Sequence, residues 1–167
     1  MQAFSKQDKG IKYLLTIIDV FSKFVWIIPL NRKTGQEVAN AFSRILKKRR
    51  PSKMLVDKGR EFYNKDVQKL VELYSTENEE KSCEIERFHR TIKYKIFKYF
   101  TVNSTRKYID VLETLVDQYN NTDHSSIKMT PVEASLKKMK IKFLEIYIQI
   151  LRVKPQHQNY QLVLMLE

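Results

Sequence analysis

Cysteine is almost absent: the 167-residue chain has one, Cys83. That excludes an internal disulfide and a cysteine-based zinc finger. It is what a reducing compartment allows, though weak as a signal of one. Glycine and proline are also scarce, at 3 and 4 residues. Long irregular loops should therefore be few and regular structure dense. No hydrophobic stretch approaches the length of a membrane span. The first ten residues, Met1 to Gly10, contain no apolar run of the kind a secretory signal needs. The expected location is nuclear or cytoplasmic rather than secreted, with no membrane partner. Acidic residues are the last shortage: 19 Asp and Glu against 31 Lys and Arg leave a net charge of +12.

What is present is enough for a core. Hydrophobic residues make up 43% and aromatics 11% of the chain. Intrinsic disorder does not fit that composition, and the length suits one domain with a short tail. The cationic excess suits a polyanionic partner, because each neutralised phosphate releases condensed counterions. It equally suits a basic surface that only keeps the protein soluble. Charge alone does not separate the two. A basic membrane-surface helix is disfavoured, since every apolar stripe here also serves a core.

Two apolar runs, residues 11–21 and 24–30, are separated by Ser22-Lys23 and predict a β-hairpin. Their near-continuous hydrophobicity points to strands covered on both faces. The period then changes. Thr34-Gly-Gln-Glu37 predicts a capping box, followed by Val38, Phe42, Ile45 and Leu46 at helical spacing. Basic residues Lys47 to Arg50 suit a helix C-terminus, and Pro51 ends it. Met54 to Val56 predicts a short buried strand closed by Asp57-Lys58-Gly59. A short helix with Val67, Leu70 and Val71 inward comes next, then a polar connection over Tyr74 to Asn78. A long helix is expected from about Glu79 to Phe100, its inner stripe being Ile85, Phe88, Ile92, Ile96 and Tyr99. Another is expected from Thr105 to Tyr119, with Tyr108, Val111, Leu112, Leu115 and Val116 inward. Thr130-Pro-Val-Glu133 is a second capping box, with proline at the first helical position. The order predicts a mixed α/β domain with helices beside a sheet. Residues 139–167 show no coherent motif.

Three carboxylates could carry chemistry. Asp57 ends a buried strand, where open α/β sheets gather ligands, and hard oxygen donors suit Mg²⁺. The plain alternative is a turn-forming Asp before Gly59. Glu86 sits beside the inner stripe of the long helix, with Arg90 and Lys93 four and seven residues on and so on its face. That grouping suits a metal and a phosphate, but an ordinary exposed Glu–Arg pair explains the spacing as well. Asp19 ends the first strand, where it suits a hairpin cap. Cys83, His89 and His124 do not fall at metal-binding spacing. No nucleophile elbow is present.

The wording around these residues is more specific than their spacing. KYLLTIIDVFSKFVWIIPL, MLVDKGREFYNKDVQ, YSTENEEKSCEIERFHRTIK and HSSIKMTPVEAS occur in that order. Each resembles a segment of the retroviral-type integrase catalytic core, nearest to the integrases of LTR elements and large DNA transposons. The resemblance covers residues 1 to about 138. It implies an α/β, RNase H-like mixed sheet flanked by helices. It further implies DNA as partner, Mg²⁺ or Mn²⁺ as cofactor, and 3′-end processing and strand transfer as ancestral activity, by two-metal phosphoryl transfer. Asp57 matches the family's second metal-binding Asp and Glu86 the catalytic Glu. Arg87, Arg90 and Lys93 would then face DNA phosphates, and the protein would act as a homo-oligomer.

Three departures bear on activity. The family's first Asp lies on a central strand upstream of the segment matched here, so the core is expected to lack that strand. Asp19 matches a structural position of the neighbouring strand. The 28 residues between Asp57 and Glu86 are fewer than usual, and His89 stands where the family commonly has Asn. The expectation is a core whose catalysis is lost. An alternative is a host protein that keeps the remnant as a DNA- or protein-binding module.

Overall fold

The computed structural model describes residues 4–47, 51, 53–56, 59, 62–70, 72–74, 83–136 and 161–166. The hairpin forms as expected. β1 (Tyr13–Asp19) and β2 (Val25–Leu30) pair antiparallel, with Ile17 opposite Trp26. Its turn places Lys23 in the left-handed region at φ 58°, and the Lys23 amide donates to the Asp19 carbonyl at 2.7 Å.

Helix α1 (Gly35–Leu46) starts at Thr34, whose hydroxyl accepts from the Glu37 amide. The reciprocal half of the expected capping box is not made. The Glu37 carboxylate instead accepts from the amides of Asn31 and Arg32, at 2.8 and 3.0 Å. It thereby straps the β2 exit to the helix start. Strand β3 (Lys53–Val56) follows, then α2 (Lys65–Gln68), capped by Asn64, which accepts from the Asp66 and Val67 amides. Glu72–Tyr74 forms strand β4, parallel to β3. A connection was expected from Tyr74; three residues are too few for a period of two to show.

Helix α3 (Cys83–Asn103) is the long helix, and α4 (Ile109–Asn120) and α5 (Pro131–Ser135) follow. Ile85, Phe88, Ile92 and Ile96 are buried as predicted, but Phe100 rather than Tyr99 completes the buried stripe. The Thr130/Glu133 capping box is complete, with Pro131 opening α5. The α4 N-terminus is capped from far away: Asp8 Oδ1 accepts from the Tyr108 and Ile109 amides at 3.0 and 3.1 Å.

The last strand decides the architecture. β5 (Gln161–Leu166) comes from the segment that showed no motif, and it lies in the middle of the sheet. The strand order is β2-β1-β5-β3-β4. β5 runs antiparallel to β1, with Leu164 opposite Ile17, and parallel to β3, with Leu164 opposite Val56. No strand preceding β1 occurs among the described residues. The inner edge of β1 is paired with β5. An apolar run such as the LVLML that follows Gln161 is what a strand covered on both faces requires.

The sheet separates two cores. On one side Leu15, Ile17, Met54 and Val56 pack with Val38, Phe42 and Ile45 of α1 and with Phe62 and Val67. On the other, Leu14, Ile18, Val25 and Leu55 pack with Ile85, Phe88 and Ile92 of α3 and Leu112 and Val116 of α4. The alternation of β1 residues between the two clusters is the period-two geometry of a strand. Helices on both faces of a mixed sheet realise the predicted fold class.

Candidate nucleic-acid and metal site

The first turn of α3 is anchored to the hairpin. Lys23 is buried except for a tenth of its side chain, and its Nζ lies 3.0 Å from Glu84 Oε1. Arg87, more exposed, approaches the other Glu84 oxygen at 3.6 Å. Two ring groups lie within electrostatic reach of these charges. Tyr119 and His124 meet edge to face at a centroid distance of 5.0 Å. Burial raises the Tyr119 pKa, helped by the Glu84 charge and opposed by Arg87. Burial also lowers the His124 pKa, as do Lys23 and Arg87, against the opposing pull of Glu84. These cations and rings form one electrostatic unit at the head of α3.

Glu86 and Arg87 follow on the exposed side of that turn, Arg90 is exposed one turn on, and Lys93 is half-buried. The predicted DNA-facing residues therefore divide: Arg87 and Arg90 face solvent, while Lys93 lies on the flank. Asp57 falls outside the described residues, so its distance from Glu86 is not part of this geometry. Asp19 sits where a cap would. It is buried, its Oδ1 accepts from the Phe21 amide at 3.1 Å, and its Oδ2 accepts from the Ser22 hydroxyl at 2.9 Å. His89 turns inward, and its Nε2 is hydrogen-bonded to the Thr16 hydroxyl at 3.0 Å. It joins α3 to β1, away from the exposed face that carries Glu86.

Among the described residues no three His, Cys, Asp or Glu side chains converge into a group that could hold a metal. The central strand adds no candidate, because Gln161 to Leu166 contains no carboxylate. Of the two residues matched to the family's metal ligands, the described structure places only Glu86.

Sequence reasoning missed several organising side chains. Asn120 reaches the outer edge of β2: its Oδ1 accepts from the Val25 amide and its Nδ2 donates to the Val25 carbonyl, both at 2.9 Å. Lys23, Glu84 and Asp8 were likewise not singled out. Their partners lie far off in sequence, where local pattern carries no signal.

This chain belongs to the integrase core family: the model for the integrase core domain matches residues 3–98. It is 36% identical over 140 residues to a putative uncharacterized transposon-derived protein of Caenorhabditis elegans, covering 80% of this chain and 49% of that protein. It thus spans about half the length of that relative. Solved structures agree on the fold. The catalytic core of BIV integrase superposes with a TM-score of 0.64 at 18% identity, covering 79% of this chain and 91% of that one. A chain of the simian T-cell lymphotropic virus intasome, solved with a PP2A regulatory subunit, gives 0.68 at 20% identity over 79% of this chain and 51% of its own. The HTLV-2 integrase catalytic core, solved with magnesium in a trimeric form, gives 0.63 at 18% identity over 77% and 88%. The RNase H-like integrase fold is established.

Proposed function

We propose that this chain is a transposon-derived integrase core that binds DNA through the exposed basic face of α3 and no longer joins DNA ends. The observation that carries the second part is the central strand. Two-metal phosphoryl transfer needs a carboxylate bridging both ions, so that attacking and leaving oxygens are held in line. By resemblance the family takes that ligand from a central strand. Here β5 holds the centre of the sheet and is Gln-Leu-Val-Leu-Met-Leu. Asp57 and Glu86 would hold at most one divalent ion between them. A bound Mg²⁺ or Mn²⁺ there would supply local positive charge for a phosphate. Arg87 and Arg90, exposed on the same helix, would position the DNA backbone by charge-assisted contacts.

The test uses a labelled duplex end with Mg²⁺ or Mn²⁺. Binding that weakens steeply with salt is expected, with no trimmed or joined product. Metal-dependent joining that Asp57→Asn abolishes would show that catalysis survives. Binding that is unchanged between low and moderate salt would show that the charge is only a solvated face. A homo-oligomer fits this reading, and sedimentation with and without DNA measures it.

A further inference from the structure

The outward face of α3 carries more than charge. Arg90, Tyr94 and Lys98 are spaced four residues apart, so they stack one turn above another on a single stripe. All three are exposed, and Tyr94 is 68% exposed, well beyond what a ring serving a core would show. Arg87 begins the stripe below Arg90 and Thr101 ends it above Lys98, both exposed. Among the described residues neither Arg90 nor Lys98 enters an ion pair, and Arg87 meets Glu84 only at 3.6 Å. The aromatic neighbours on the helix are engaged elsewhere. Phe97 packs edge to face with Phe4 and Phe100. Tyr94 stands out from that cluster, between two cations.

We infer that Tyr94 is a stacking platform for an unpaired base, and that the α3 stripe binds single-stranded or frayed DNA. This rests on the DNA-binding reading above. Arg87 and Arg90 lie one turn apart and Lys98 two turns further on, a row of cations that suits a phosphate backbone, and duplex DNA satisfies them as well as a single strand does. An exposed ring between them adds affinity only when a base face is free. Base–aromatic stacking is tolerant of sequence and is lost on truncation to alanine. The exposed cations Arg87, Arg90 and Lys98 on either side of the exposed ring favour nucleic acid over a protein surface as the occupant.

The experiment compares a short oligothymidylate with an abasic strand of equal length, both binding to the full chain. Both carry the same phosphates, and only one offers bases. The wild type is expected to prefer the base-bearing strand by at least about five-fold. Tyr94→Ala should erase that preference while leaving abasic-strand affinity unchanged, and Tyr94→Phe should keep it. Arg90→Ala should weaken both strands together and flatten the salt dependence. Equal binding of the two strands by the wild type, or a preference that survives in Tyr94→Ala, overturns the inference and leaves the DNA-binding reading standing. No salt-sensitive binding of either strand overturns both. Circular dichroism shows whether each variant is folded, and since Tyr94 is exposed a melting temperature like the wild type's is expected.

Discussion

Single polar side chains hold this fold at points where the backbone ladder runs out. Asn120 is the clearest. It pairs with both the amide and the carbonyl of Val25, on the side of β2 that no strand covers among the described residues, and it is buried. Removing it strands two backbone groups away from water, each costing about 1–3 kcal/mol. Asn120→Ala should therefore destabilise the chain by about 2 kcal/mol or more in a urea titration, and an unchanged midpoint would refute the pairing. Asp19 has a comparable role in the hairpin turn. Asp19→Ala should cost about 1–3 kcal/mol while DNA affinity stays at the wild-type value. DNA affinity lost without any loss of stability would instead place Asp19 in the binding site. His124 gives a pH signature. Its folded pKa lies below the usual histidine value through burial and the nearby Lys23, so the unfolded chain takes up the proton first as pH falls. The stability it contributes is complete above about pH 6.5 and declines as pH drops through the lowered folded pKa. His124→Gln should flatten stability across that window. An equal slope in wild type and variant would assign the effect to other groups.

Among the elements, β5 has the largest consequence. β1 and β3 do not pair with each other, so among the described residues the β2-β1 and β3-β4 ribbons are hydrogen-bonded into one sheet through it. A central strand supplies hydrogen bonds to both neighbours, and proline cannot donate one. Leu164, opposite Ile17 on one side and Val56 on the other, is the position to test. Leu164→Pro should strip hydrogen-exchange protection from β1 and β3 together. Protection retained in both strands would mean that β5 is not what joins them. Helix α3 is the second such element. It lays Ile85, Phe88, Ile92 and Ile96 on the core, ties its first turn to the hairpin through Glu84 and Lys23, and leaves Arg87, Arg90, Tyr94 and Lys98 in solvent. One helix thus separates structural and recognition faces by its 3.6-residue period.

At the scale of the molecule, the sheet joins segments far apart in the sequence. Its β1 lies near the start of the chain and its central β5 near the end. The central slot therefore closes only when the last strand is present. Contacts of such long sequence separation cost loop-closure entropy before they repay it, which slows folding. Until then the inner edges of β1 and β3 are unpaired and open to strands of other chains. The net charge of +12 opposes that association in the unbound protein. A polyanion neutralises the same charge.

Most of the outer framework could be read from the residues. Continuous apolar runs gave the hairpin, the Thr34 and Thr130 caps gave two helix starts, and the spacing of Ile85, Phe88, Ile92 and Ile96 gave α3 and its buried face. Those are local effects, set by hydrogen bonds and side-chain periods within a few residues. The ordered segments from KYLLTIIDVFSK to HSSIKMTPVEAS carried the family, and with it the fold. The candidate site was less legible. Glu86 and the basic residues of α3 were visible, and Arg87 and Arg90 proved exposed, but the weight of Tyr94 emerged only from its exposure. Asp19 could be read either as a ligand or as a cap, and its bonds to Phe21 and Ser22 are those of a cap. The Asn120–Val25 bridge, the Asp8 cap on α4 and the place of β5 had no local signal, because each joins residues far apart in the chain. QLVLML determines by itself only that a strand buried on both faces is favourable. Which slot it fills is decided by the two ribbons that present unpaired edges on either side of it.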